Sequence, residues 1–298
     1  MRVLFQGAGA VGIAGTALFI DAHEVAVVSR NPRTGSAYPE RLSALTSRPR
    51  ARRRVPITAW ETALEFEWDL LVLTTRPCEL DAEVVDAIAV LAPPLLAITS
   101  QVEGDLDEAR ARFAPAEVVV FSPALVSDRP AGTDVSYWSL PAGPAFLMAG
   151  DSVVERRLRR ELGSLVLSVP LAVLLRTPAV FIPYVAELSA RNGNWDALKS
   201  HLDLPTAAAA EAVGVVTGMR VPMNSTAARL ALEMAERVLP IDVSEYAGRH
   251  FGRHRGQTVD MLDGWIEEAD QRGTRSPHAL QSLRLSLEGT AAEQCPRQ

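Results

Sequence analysis

Residues 3–12 read Val-Leu-Phe-Gln-Gly-Ala-Gly-Ala-Val-Gly, an apolar strand that runs straight into three glycines spaced G-x-G-x-x-G. A helix-like run, Ala10 to Ala22, follows, and then a second apolar stretch at 24–29. This order of strand, glycine loop, helix and strand is the opening of a dinucleotide-binding unit. Gly7 permits the tight turn, Gly9 lets a pyrophosphate approach the backbone, and Gly12 lets the helix pack against the sheet. The helix N-terminus adds free N–H groups and a partial positive charge. Gly7, Gly9, Ala10, Val11 and Gly12 are therefore candidate cofactor-binding residues.

The rest of the chain supports an α/β class with two domains. Residues 2–6, 24–29, 55–58, 70–74, 95–99 and 118–121 read as strands, and the last three are short apolar runs suited to a parallel sheet covered on both faces. Helical patterns at 12–21, 78–91 and 105–113 separate them, so right-handed crossovers predict a doubly wound Rossmann-type sheet. Residues 134–140 and 145–149 are expected to form an antiparallel pair around Pro141-Ala142-Gly143-Pro144. A helix over 152–162 and a strand over 165–175, interrupted by Pro170, complete the first domain, 1–174. The second, 175–298, is all-helical, with helices expected at 178–191, 205–218, 224–238, 244–252, 257–272 and 277–288. In this architecture the substrate is expected in the cleft between the domains.

Composition narrows the function. With 30 Lys+Arg against 36 Asp+Glu the net charge is −6, which argues against a general nucleic-acid partner. The basic run at 48–54 reads as a solvated loop. The two cysteines, Cys78 and Cys295, offer neither metal-ligand spacing nor a disulfide framework, so a cytoplasmic location is expected. No signal-peptide pattern is visible, and no apolar run is expected to approach the ~20 residues of a membrane span.

The end of the second strand selects the nucleotide. An NAD site usually places a carboxylate there, whereas a 2′-phosphate calls for arginine and small polar groups. Here the chain reads Ser29-Arg30-Asn31 with no acid. Arg30 offers a charge-assisted fork, and NADP is the expected cofactor, with Ser29, Arg30 and Asn31 as its contacts.

These residues resemble the ketopantoate reductase family. The opening GAGAVG is similar to the family's first loop, and Ser29-Arg30 to its NADP-selecting site. Leu73-Thr74-Thr75-Arg76-Pro77 resembles its Thr-Lys-Ala strand end. Gln257 to Gly264 resembles its Thr-Glu-Ile-Asp-x-x-Asn-Gly motif, and Gly273 to Pro277 its Gly-x-Pro-Thr-Pro. The resemblance implies an NADP-binding Rossmann domain and a helical C-terminal domain like that of 6-phosphogluconate dehydrogenase, for substrate binding and dimerisation. Thr75, Arg76 and Gln101 become further candidate cofactor contacts.

The chemistry departs from the family. Its reductases carry a lysine on the first long C-terminal helix, but residues 178–191 contain none, and Ile182 or a near neighbour takes its place. The only lysine, Lys199, lies beyond Asn192-Gly193. The family's Asn after the fifth strand is replaced in Ser100-Gln101-Val102, and its Glu aligns with Thr258. Reduction of a 2-oxo acid needs a charge for the carboxylate and a proton donor at the carbonyl, so ketopantoate is not the expected substrate. Tyr184 and Glu187, which share a face of that helix with Arg191, are the candidate catalytic residues. No metal is expected. His250 and His254 lack a third ligand. The expectation is an NADPH-dependent reductase of another ketone or imine of secondary metabolism, acting on a small molecule and forming a homodimer. The alternative is a cofactor-binding homologue without redox turnover.

Overall fold

Val3 and Phe5 point to one face of the first strand and Leu4 to the other, and each of the three is fully buried. That alternation builds two cores, one on each side of a sheet. The computed structural model describes residues 1–30, 35–43, 52–130, 134–219, 221–253, 255–273 and 276–293. The chain forms two compact units, Met1–Leu174 and Leu175–Gln298.

In the first unit, β1 (Arg2–Gln6), α1 (Ala10–Phe19), β2 (Glu24–Val28), β3 (Ser36–Ala37), β4 (Glu40–Arg41), β5 (Val55–Thr58), α2 (Trp60–Ala63) and β6 (Leu70–Leu73) come first. Next are α3 (Ala82–Leu91), β7 (Leu95–Ile98), α4 (Asp105–Arg112), β8 (Glu117–Pro123), β9 (Leu125–Asp128), β10 (Ser136–Ser139), β11 (Phe146–Ala149), α5 (Ser152–Leu162), β12 (Val166–Ser168) and α6 (Leu171–Arg176), which runs into the second unit. The main sheet has the order β12-β11-β8-β7-β6-β1-β2-β5-β3. Its central strands, β8 to β5, are all parallel. The chain leaves β1 toward β2 and β5, then returns to β6 on the opposite side. The carboxyl ends of β1 and β6 thus mark the switch point, where ligands of such sheets bind.

One face of the sheet buries Phe5, Phe121 and Phe146 with Ile13 and Phe19 of α1 and Leu158 of α5. Phe121 stacks on Phe146 at 5.5 Å, and Phe5 meets Phe19 edge-on at 5.5 Å. The other face buries Leu4, Leu71, Leu73, Leu96 and Ile98 with Val84 and Ile88 of α3 and Leu106 and Phe113.

Three expectations are corrected. Residues 134–140 and 145–149 do not pair with each other. Instead β10 runs antiparallel to β9 in a small second sheet, and β11 runs antiparallel to β8 in the main one. Each strand finds an edge elsewhere, because β8 carries an apolar face that Phe146 covers, and Pro141 and Pro144 deprive the turn between them of two N–H donors. The strand expected over 165–175 stops at Ser168. Pro170 accepts from the N–H groups of Val173 and Leu174 and starts α6. Third, the helical stretch Leu171–Ala190 is long and apolar enough to cross a membrane by length and composition, although half of it is buried.

The second unit contains α7 (Pro178–Ala190), α8 (Trp195–Ser200), α9 (Asp203–Thr217), α10 (Ser225–Val238), α11 (Val243–Arg253), α12 (Arg255–Gln271) and α13 (His278–Glu293). The central helix is α7, packed against α8, α9, α11, α12 and α13. The expected stop at 191–194 is present, but Asn194 also starts α8 by accepting the N–H of Ala197 at 2.9 Å. Asn224 caps α10 in the same way. Trp195, Leu188, Leu198 and Val243 form a core that Leu232 of α10 covers.

Candidate functional site

The glycine turn sits at the carboxyl end of β1 and leads into α1. Gly7 has φ +99°, a left-handed backbone, and a Cβ there would fall 2.6 Å from the Thr74 hydroxyl. That hydroxyl donates to the Gln6 carbonyl at 2.6 Å, which ties the ends of β1 and β6 together. At Gly12 an added Cβ would fall 2.1 Å from the Gly7 carbonyl oxygen. Gly9 differs from both: its backbone is ordinary and extended, and a Cβ would meet nothing within 4 Å. It caps α1 without a side-chain partner, and the first bond of the helix runs from Ile13 N–H to the Gly9 carbonyl at 3.1 Å. The N–H groups of Ala10, Val11 and Gly12 therefore precede the helical ladder and face the free end of the helix. Open space at Gly9 and donors at a helix N-terminus suit an incoming pyrophosphate.

The strand ends place charge around this turn. Ser29 donates its backbone N–H to Thr58 at 2.9 Å, and Arg30, exposed just beyond it, pairs with Asp81. Asn31 lies outside the described residues. Thr75 is half-buried after β6. Gln101 donates to the Ser122 hydroxyl at 2.6 Å. Arg76 is neither a surface group nor an open one: it forms a two-point ion pair with Asp105, Nε to Oδ2 at 2.9 Å and Nη2 to Oδ1 at 3.0 Å. Asp105 is the first residue of α4. It is also held by the Ser100 hydroxyl, and its side chain is 5% exposed against 13% for Arg76. Cys78, Asp105 and Glu108 come within 4.8 Å of one another, but the guanidinium already on Asp105 opposes a metal cation there.

Sequence reasoning missed Arg129. It follows β9, and its guanidinium donates to the Ala8 carbonyl inside the glycine turn. Only the folding of β9 onto α1 brings these two residues, 121 positions apart, together. No spacing in the sequence signals that contact.

In the helical unit, Ile182 is buried on α7. The Tyr184 hydroxyl shares a hydrogen bond with the Thr206 hydroxyl of α9 at 3.0 Å. Glu187 pairs with Arg191 at 2.6 Å, and its side chain is only 3% exposed, so the pair is more deeply set than a surface i, i+4 pair. Lys199 stands on the separate α8, bonded to Glu236 at 2.8 Å and to Asp196 at 3.1 Å. The side chain of His250 and all of His254 lie outside the described residues.

Burial raises the Tyr184 pKa, against a smaller lowering by its bond to Thr206. A phenol with a raised folded-state pKa contributes stability that is complete below the unfolded value of ~10 and is lost as pH rises through the folded value. Urea stability of the parent should therefore fall across this alkaline window, and Tyr184→Phe should lack that component. Matching alkaline slopes in the two proteins would contradict the buried phenol.

No protein-family model and no curated protein matches the sequence. Solved structures do match. A 2-dehydropantoate 2-reductase from Methylococcus capsulatus superposes with a TM-score of 0.66 at 17% identity, over 100% of this chain and 99% of that one. A dimeric ketopantoate reductase from Staphylococcus aureus gives 0.66 at 10% identity, over 99% and 100%. D-Mandelate dehydrogenase, in a ternary structure with NADH and anilino(oxo)acetate, gives 0.65 at 13% identity, over 98% and 99%. Likeness at these identities is one of fold, and the chain has the ketopantoate reductase fold, an N-terminal Rossmann-type unit followed by a helical C-terminal unit.

Proposed function

We propose that the chain is an NADPH-dependent reductase that acts on a ketone or imine other than ketopantoate, in secondary metabolism. The observation that carries this reading is the glycine turn at the switch point. It is open at Gly9, lined by the first amides of α1 and flanked by Arg30 and Arg129. Gly9, Ala10 and Val11 would hold the pyrophosphate with Arg129 beside them, and Ser29 and Arg30 would hold the 2′-phosphate. When bound, NADPH supplies the hydride. The solved structures of this fold include reductases and a dehydrogenase with NADH bound, which supports the same class. The change of substrate follows from α7, where Ile182 is buried and no lysine stands to hold a carboxylate or protonate a carbonyl. A homodimer is the assembly expected, since the Staphylococcus aureus protein is described as dimeric.

A second reading has its own support. On α7 the Tyr184 hydroxyl is shared with Thr206 and Glu187 is committed to Arg191. A protein that binds the nucleotide without turning it over is consistent with a helix whose tyrosine and glutamate are already paired.

Calorimetric titration with NADPH and NADH, followed by NADPH oxidation across a panel of ketones, imines and 2-oxo acids, tests both. Binding with oxidation by a neutral ketone or imine is the expected result. Binding without oxidation by any of them favours the second reading, turnover confined to ketopantoate overturns the substrate argument, and no binding of either nucleotide overturns both readings.

A further inference from the structure

The strands β2 and β6 lie on either side of β1, so the loops that leave their carboxyl ends straddle the glycine turn. Among the described residues, one ion pair joins those two loops: Arg30, two residues beyond β2, with Asp81, eight residues beyond β6. Both side chains are more than half exposed, at 60% and 52%. Asp81 also stands at the N-cap of α3, yet its carboxylate makes no bond to that helix. An aspartate at an N-cap ordinarily accepts from the first-turn amides. Here the carboxylate is instead directed to Arg30, just beyond the end of β2.

This places an acid where the end of β2 lacks one. The strand runs Val27-Val28-Ser29-Arg30, which by itself reads as a 2′-phosphate site. The carboxylate of Asp81 arrives from the far side of β1 and neutralises the charge that reading depends on. A dianionic 2′-phosphate approaching Arg30 meets repulsion from Asp81, whereas a ribose 2′-hydroxyl can donate to that carboxylate. The two residues thus act in opposite senses on the two nucleotides.

The geometry points to Asp81 as the residue that sets the NADP-against-NAD preference of this site, by moderating Arg30 and by offering NAD(H) the acceptor that β2 does not supply. The inference rests on the cofactor reading above and goes beyond it, because it makes the parent protein accept both nucleotides rather than NADP(H) alone.

The test is calorimetric titration of the full chain with NADPH and with NADH, for the parent, Asp81→Asn, Asp81→Ala and Arg30→Ala. Circular dichroism and melting serve as controls for folding. Since Asp81 is exposed and makes no capping bond, both of its variants are expected to fold. Removing the carboxylate should tighten NADPH binding by up to about fivefold, the worth of an exposed pair, and weaken NADH by about tenfold for the lost charged hydrogen bond. The ratio of the two affinities should therefore shift toward NADPH by at least about tenfold. Arg30→Ala should move it the other way. An affinity ratio that stays within about twofold of the parent in both Asp81 variants, with the parent still binding nucleotide, overturns the role of Asp81 alone. A parent that binds neither nucleotide overturns the cofactor reading, and this inference with it.

Discussion

Gly9→Thr should bind NADPH at least about tenfold more weakly than the parent, a loss of ~1.4 kcal/mol or more, while melting at nearly the same temperature. The two halves of that expectation come from different atoms. Gly9 has φ −81° and ψ −174°, and a Cβ there meets nothing within 4 Å. An extended backbone accepts a β-branched residue without strain. Threonine is also a good N-cap, so α1 keeps or gains a capping bond. The fold thus has no reason to object. A pyrophosphate does, because the added side chain occupies the space through which it would reach the amides of α1. Gly12→Val is the contrasting control: its Cβ would lie 2.1 Å from the Gly7 carbonyl oxygen, so the turn itself must shift, at ~1–3 kcal/mol or more. Calorimetry and thermal melting on the three proteins separate the cases. Full affinity in Gly9→Thr would remove the glycine turn from the cofactor site.

Asp105→Ala should destabilise the first unit by ~3–5 kcal/mol. It would strip the two-point partner from Arg76, whose side chain is 13% exposed, and leave the guanidinium the longer, 4.0 Å contact with the exposed Glu79. It would also leave the Ser100 hydroxyl without its acceptor. At the stability slope of a domain this size, the melting temperature should fall by on the order of 10 °C. The double variant Arg76→Met with Asp105→Leu should recover most of that loss, since exchanging a buried pair for apolar groups is often neutral. A loss below about 1 kcal/mol in Asp105→Ala would mean that the pair is hydrated in solution like a surface ion pair. The outcome also bears on Arg76 as a nucleotide contact. A residue held from behind by Asp105 presents a fixed charge, and one that is not must be ordered by the ligand.

Much of the first unit was legible because local patterns and tertiary demands agree there. The parallel strands β6 and β7 are short apolar runs, and both are buried along their whole length. The glycine turn was legible because its demands are largely local: Gly7 needs its left-handed backbone, and Gly12 must clear the Gly7 carbonyl five positions away. Where the reading went wrong, the deciding partner was distant. The strands at 136–139 and 146–149 have a turn-like linker between them, and either could have been half of a hairpin. Their true partners, β9 and β8, lie in different sheets. Pro170 likewise fits both a strand edge and a helix start, and the sequence around it is apolar in either case.

The sequence by itself determined the strand–glycine–helix opening, the change to an all-helical pattern after Arg176 and the loss of lysine from α7, because backbone freedom, hydrophobic period and residue identity are properties of contiguous chain. Only the tertiary structure decided which charges meet. Arg30 is joined to Asp81, Arg76 to Asp105 and Arg129 to the Ala8 carbonyl, over separations of 51, 29 and 121 residues. An arginine's reach and charge are the same in every sequence context, so its partner is chosen by the strand order that carries distant loops to the same end of the sheet.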